Sequence, residues 1–584
     1  MSINLIITKM KSKNITYLAG LAILVFSACK KDSFLNRTPL TDISAQAFFN
    51  NETDLQLYCN QYYYTLPIET LVRADDQSDD KAPTQINALL GGAYTVPTLT
   101  DTTKDIVGTG AYKDPNGLLN GTGTNWNFVI IRSCNFFLAN YKKADVSDSV
   151  KNIYVGETLF FRALDYWKKV KAFGDVPYIN TYITDTSKSQ LYGPRMPHQQ
   201  VMDSVLTDLN LAVAHLPVAP LQTGRINKYA ALALKARICL WEGTYRKYWS
   251  NAGDPSAYLQ GAIDAAEQLM SSGKFDIYNT GNPQSDYYNL FIQEDLTTNK
   301  EAILPMQYVS AVLTNGYDRA LGECGDGYSK DFVRSYLCTD GLPISLSPLY
   351  KGDDSIDEEI RNRDPRLKQA IATRGFDLLN GDIVTVPRIS TNATSTGYMP
   401  IKGRSSSIAA WNANASTYDC FIFRYAETLL IEAEAKAELG QCTQDVLDKT
   451  INVLRARVGM PAMVITSLVK DPSSDFPSLP VLLDEIRRER RIELASEGFR
   501  FDDLHRWHAG TLINNPATIL GIKLLPQFRS TYTYDISGVV VDANNYVRVY
   551  PGIASRQWDD KMYLYPIPIP ELTLNSSLHQ NPGW

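Results

Sequence analysis

The chain has 584 residues, a formal net charge of −6 and 44% hydrophobic residues. The acidic balance argues against a nucleic-acid partner, whose phosphates call for clustered Lys and Arg. The apolar fraction is enough to bury a large core, and 34 tyrosines against 20 phenylalanines leave many rings with a polar tip to place at surfaces or binding sites.

The first element is the apolar run Ile15–Ala28, "ITYLAGLAILVFSA". As a helix it reaches about 21 Å, short of the ~30 Å hydrocarbon core, so it reads as an export signal rather than a membrane span. Lys9, Lys11 and Lys13 form a basic prelude, Ser27-Ala28 supply small residues before the break, and Met1 and Met10 both stand as candidate starts. Cys29 follows where a lipoprotein signal places its acylated cysteine, and "FSAC" resembles that box, with Phe26 where Leu is usual. Acylation of Cys29 is therefore expected to anchor the chain, stably if more than one acyl chain is attached. Removing residues 1–28 takes away three lysines and no acid, which leaves a net charge of −9. Seven scattered cysteines remain with no CxxC pair, read as buried thiols; disulfides are not implied.

Helical signals dominate the first half. "GETLFFRALDYWKKVKAF" runs from about Tyr154 and is stopped at Gly174, with Pro177 beyond. Val201, Val205, Leu209, Ala212 and Leu216 recur at steps of three or four before Pro217. Ala231, Leu234, Ile238, Trp241 and Tyr245 form the next stripe, and Ala262, Ala265 and Leu269 the one after, closed by Gly273 in the place of a C-terminal cap. Late in the chain come "FRYAETLLIEAEAKAELG", "QDVLDKTINVLRARVG" and "VLLDEIRRERRIELASEGFRFDDLHRW". The pairs look like tetratricopeptide-type hairpins, but their spacing is irregular and the W-x-x-L-G-x-x-Y pattern is missing. Strand-like pieces such as "EAILPMQYV" are few. Residues 100–125 and 389–417 are polar and irregular, and long loops on a rigid frame often carry function. The expected fold is mostly α, a scaffold of helix pairs with long ligand-binding loops.

Catalytic motifs are hard to find: HExxH, GxSxG and GxxxxGK[ST] are all missing. Ser271-x-x-Lys274 and Ser467-x-x-Lys470 match SxxK without the partner motifs of a penicillin-binding enzyme. His505 and His508 could share a helical face for a metal, yet no further ligands stand at fitting spacing. Asp75, Asp76, Asp79 and Asp80 could hold calcium, but they lack the EF-hand spacing, and a solvated acidic loop is favoured. No cofactor is expected, and the 63 acids leave a two-carboxylate glycosidase open. Leu483, Ile486, Arg490, Glu493 and Glu497 lie on one stripe whose apolar face turns charged midway. Arg490, Glu493, Glu497 and Arg500 are therefore expected to pair with one another internally.

At these residues the sequence resembles a known family. "ERRIELASEGFRFDDLHRW" is similar to the pattern ER-x-x-EL-x-x-EG-x-R-x-x-DL-x-RW of SusD/RagB proteins. "FRYAETLLIEAEAKAELG" looks like that family's FRYAD-x-LL-x-x-AEA helix, with Glu427 where Asp is usual. Further likenesses, in family order, are "FFRALDYWKKVKAFGDVPYI", "GRINKYAALALKARICLW", "SSGKFDIY", "NKEAILPMQY", "RDPRL" and the terminal "YLYPIPIPELTLNSSLHQNPGW". The resemblance implies a signal peptide over 1–28, an N-terminal helical region over 29–280 and a C-terminal region over 281–584, forming one unit. It implies an outer-membrane lipoprotein that faces outward, captures oligosaccharides or peptides, and delivers them to a SusC-like TonB-dependent transporter. A helix-pair interaction scaffold and a surface glycosidase remain as alternatives.

Ligand residues are expected among loop aromatics, since sugars offer C–H faces for stacking and hydroxyls for hydrogen bonds. The candidates are Tyr94, Tyr112, Tyr317, Tyr328 and Trp411, with Asn315 and Arg319 supplying polar contacts. Trp126 and Trp167 lie in helix-like blocks and are read as core.

Overall fold

Side-chain caps and glycines set several of the helix ends. The structure, a computed structural model, describes residues 48–66, 72, 74–97, 126–250, 252–390 and 393–584. The export segment, Cys29 and Tyr112 lie outside the described residues. Helix α1 spans Glu52–Asn60, α2 Val129–Asn140 and α3 Asp148–Phe173. The Ser147 hydroxyl accepts from the Val150 amide to start α3, and Gly174, at φ +71°, ends it. Helix α4 spans His198–His215, α5 Lys228–Tyr248 and α6 Ser256–Ser271. Asn227 caps α5 through the Ala230 amide, and Gly273 turns left-handed just past α6, as its sequence position predicts.

After strand β1 (Ala302–Met306) come two short helices, α7 (Tyr317–Glu323) and α8 (Lys330–Ser335). Then follow α9 (Ile408–Trp411), strand β2 (Cys420–Arg424) and α10 (Tyr425–Glu438). Helix α11 is Ile451–Arg457, α12 Val481–Glu493 and α13 Arg500–Arg506. The run from Val481 to Trp507 is thus two helices, not one. The break falls at residues 494–499, where Ser496 and Gly498 both take positive φ.

Successive helices pack as neighbours in a stack, α2 on α3, α3 on α4, α4 on α5 and α5 on α6. Helix α10 closes on α6 and α12 packs on α10. Their apolar stripes form one core that runs from Phe49 through Trp167 and Trp241 to Leu430 and Ile486, with Trp126 also inside. Two antiparallel ribbons are attached. Strands β1 and β2 pair Ala302 with Arg424 and Met306 with Cys420, and Leu520–Lys523 pairs with Tyr546–Arg548. The fold is mostly helical with few short strands. No helix among the described residues is long and apolar enough to cross a membrane. The seven described cysteines are free thiols.

The charged stripe of α12 is buried, but its partners come from elsewhere in the chain. Glu493, fully buried, accepts from Arg457 at 2.6 and 2.7 Å, Arg424 at 2.9 Å and Arg366 at 3.1 Å. Glu497 takes Arg424 at 2.6 Å and the Lys402 ammonium at 2.5 Å. Arg490 pairs with Asp503 at 2.8 Å, and Arg500 reaches across to Asp79 at 2.7 Å. The expectation that Arg490, Glu493, Glu497 and Arg500 pair among themselves is therefore corrected. Each side chain points toward what packs on its own part of the run: β2, α11 and the segments around Arg366 and Lys402 for Glu493 and Glu497, α13 for Arg490, and the acidic loop for Arg500.

The acidic loop is likewise not solvated. Asp79 and Asp80 are buried against Arg491 and Arg500, so their oxygens are taken up by guanidinium groups. His505 is buried beside Trp241, Trp249 and Tyr563, and the described residues hold no group of three or more His, Cys, Asp or Glu suited to a metal.

Candidate functional site

Four of the predicted residues meet in one loop cluster. Strand β1 delivers the chain to Tyr308, after which it turns back through a tip, with the Val309 amide on the Leu313 carbonyl at 2.8 Å and Ala311 at φ +64°. It then enters α7 at Tyr317. The segment 404–418, which contains α9, lies alongside. Asn315 and Ser416 exchange backbone hydrogen bonds at 2.9 and 3.0 Å, and the Thr314 hydroxyl donates to the Asn414 carbonyl.

The lock between the two segments is Asp318. Its carboxylate accepts from the Ser405 amide at 2.7 Å, the Ser405 hydroxyl at 2.8 Å and the Ser416 hydroxyl at 3.3 Å. Burial raises its pKa, and these donors oppose the rise. A second carboxylate, Asp419, accepts from the amides of Leu296 and Tyr308 and fixes the root of the tip. The cluster is thus held rigidly although its surface is loop.

Within it the predicted residues do different jobs. Trp411 is half-buried and packs its ring closely against Gly322: a Cβ there would sit 2.4 Å from two of its ring atoms. The Arg404 guanidinium sits over the same ring at 5.3 Å from its centre. Tyr317 is half-buried, edge-on to Tyr308, with the two hydroxyls 3.0 Å apart, and burial pushes its phenol up to about 12. Arg319 is exposed and, among the described residues, its side chain pairs only with Glu323, one turn on, at 3.1 Å, which leaves guanidinium donors facing solvent. Asn315 is buried and committed to the loop itself. Its amide donates to the Tyr418 carbonyl and its oxygen accepts from the Tyr317 amide.

Tyr328 is a correction. It follows α7 closely in sequence, but its ring is fully buried, stacked on Phe332 at 4.6 Å, and its hydroxyl lies 2.7 Å from that of Ser496. No face is left for a ligand, because the chain turns inward after Gly325 to build the second core cluster with Tyr336 and Tyr398. Much of the polar stretch 389–417 also turns inward: Thr394, Tyr398, Ile401, Lys402 and Arg404 are buried. Tyr94 stands apart from the cluster, edge-on to Tyr565 at 5.4 Å and Trp584 at 5.8 Å.

Sequence reasoning passed over the tip itself. Val309, Val312 and Leu313 are exposed, Val312 at 83%, and Ile408 on α9 is exposed as well. The signal was in the run "YVSAVLTNG", apolar residues directly followed by a turn pair.

A model of the SusD family matches residues 275–584, and one described as starch-binding, associating with the outer membrane, matches residues 116–240. The chain is 24% identical to SusD-like protein P2 of Formosa agariphila, over 98% of this chain and 100% of that protein. It is 22% identical to SusD-like protein P38 of the same organism, over 87% and 94%. A crystal structure of a SusD-like protein from Bacteroides fragilis superposes with TM-score 0.67 at 24% identity, covering 94% of this chain and all of that one. A SusD-like carbohydrate-binding protein from the same species gives TM-score 0.67 at 22% identity, over 91% and 100%.

Proposed function

The chain belongs to the SusD family, and from that premise we propose that it captures oligosaccharides and delivers them to a partner SusC-like TonB-dependent transporter. The family match over the C-terminal half carries this reading, and the match to a starch-binding description over residues 116–240 supports a glycan rather than a peptide as ligand. The loop cluster supplies a place for capture. Tyr317 and Trp411 offer ring surface, Arg319 offers donors, and the tip Val309–Leu313 gives apolar area beside them. A neutral sugar suits this arrangement, with C–H faces on the rings and hydroxyls on the guanidinium. Tyr94, and Tyr112 outside the described residues, are retained as secondary candidates.

The proposed role is binding without catalysis. In the cluster the buried carboxylates of Asp318 and Asp419 are spent on backbone and hydroxyl donors, so neither is poised against a glycosidic bond. Anchoring through an acylated Cys29, at the outer face of the outer membrane, completes the proposal. A glycan array on the purified protein tests it, followed by titration of Tyr317→Ala and Trp411→Ala with any hit. Each loss of a stacking ring should weaken binding about fivefold or more, the equivalent of about 1 kcal/mol. Unchanged affinity in both variants, with intact circular dichroism, excludes this cluster as the platform.

A further inference from the structure

A concavity whose lining shares no residue with the loop cluster lies between α8, α12 and the segment that precedes α12. It is a cleft of about 400 Å³ whose lining includes five arginines and four aspartates, a size within the range of small-molecule sites. Its floor is the buried set of Arg491 and Arg500 on Asp79 and Asp80. Most of these charges neutralise one another. Two do not.

Arg334, on α8, is the first. It donates to the Tyr546 hydroxyl at 3.3 Å and has no carboxylate within 4 Å among the described residues. Asp475 is the second. One of its oxygens accepts from Arg491 at 3.0 Å, and the other accepts no hydrogen bond among the described residues. Arg487 also lines the cleft; it is paired with Glu438 at 3.2 Å, and its buried Nε has no hydrogen-bond partner among the described residues. Tyr350 and Phe476 add ring surface to the same lining.

A ligand of one charge would be matched at one of these groups and opposed at the other. We propose that this cleft binds a small zwitterion, a free amino acid or a molecule of like chemistry, with its carboxylate on Arg334 and its ammonium on Asp475. Burial and the neighbouring Asp331 raise the Asp475 carboxyl to about 6 against the pull of Arg491 and Arg500, and Arg491 is shared with Asp79, Asp80 and Asp331, so an arriving ammonium would add a cation where acids outnumber it. The site is separate from glycan capture and does not depend on that reading.

Calorimetry of the purified protein against each of the twenty standard amino acids tests the proposal, with the deaminated acid and the decarboxylated amine of any binder as one-charge controls. At least one amino acid binds saturably, and both controls bind about tenfold or more weakly, as expected for loss of a charged hydrogen bond. Arg334→Gln weakens the amino acid by a similar factor and leaves the amine control and any glycan unaffected. It is the safer variant, since Arg334 makes no ion pair among the described residues. Asp475→Asn weakens the amino acid and leaves the acid control unchanged. Absence of binding by all twenty, equal binding of a one-charge control, or an unaltered affinity in a folded Arg334→Gln protein overturns it.

Discussion

Replacing Glu493 with Gln keeps the shape of the side chain and removes one charge from the most densely paired part of the interior. Around it five cations, Arg366, Lys402, Arg424, Arg455 and Arg457, face five carboxylates, Glu301, Asp364, Glu489, Glu493 and Glu497. The set is neutral as it stands, and Glu493→Gln leaves it with one uncompensated positive charge at a position with no solvent exposure. Arg424 and Arg366 retain other carboxylates, but among the described residues Arg457 keeps only Glu301, at 3.4 Å. Breaking a buried pair on one side costs about 3–5 kcal/mol, and no cavity term adds to it. Urea unfolding followed by fluorescence and circular dichroism should show a loss of that size. Pairing Glu493→Gln with Arg457→Met restores neutrality and should recover part of the loss. Burial pushes the Glu493 carboxyl up, yet Arg457, Arg424 and Arg366 together hold it well below the usual range. Its contribution is therefore full above the unfolded value of about 4.3 and is lost as pH falls below it, so the gap between variant and wild type should narrow in acid. A variant within about 1 kcal/mol of wild type at neutral pH would refute the claim that these charges hold the fold together.

Three further outcomes are expected. Gly322→Ala must displace the Trp411 ring, so glycan affinity should fall about fivefold or more while the far-ultraviolet spectrum stays unchanged. Burial, with His198 and Lys171 nearby, lowers the His505 imidazole to about 3. Stability is then full above the unfolded value of about 6.5 and drops as pH falls toward 3, by about 1.4 kcal/mol per pH unit; His505→Leu should flatten that slope in melting experiments. Cys29→Ala should leave the protein unanchored or retained as a precursor, and fractionation with outer membranes in the absence of the transporter would count against the anchor.

The helices were legible because periodicity and C-terminal stops are local: Gly174 and Gly273 act within a turn of the boundaries they set. The starts were less so: the Ser147 cap begins α3 at Asp148, six residues before the expected Tyr154. That α12 buries a charged face was legible too, from the change of character after Ile486. Its partners were not, because Arg366 lies 127 residues from Glu493, and Asp79 lies 412 residues from Arg491. No spacing rule reaches that far. Tyr328 shows the same limit at short range: polar neighbours suggested exposure, while the path of the chain after Gly325 put its ring inside. The grouping of Asn315, Tyr317, Arg319 and Trp411 depends on Asp318, whose bonds to Ser405 and Ser416 no sequence pattern announces.

The central claim is capture without turnover, and one measurement bears on it most directly. The wild-type protein is titrated calorimetrically with an array-identified oligosaccharide, and the sugar recovered afterwards is weighed by mass spectrometry. The account predicts saturable, reversible binding and an oligosaccharide of unchanged mass. Shortened sugar, or no saturable binding to any glycan tested, would contradict it.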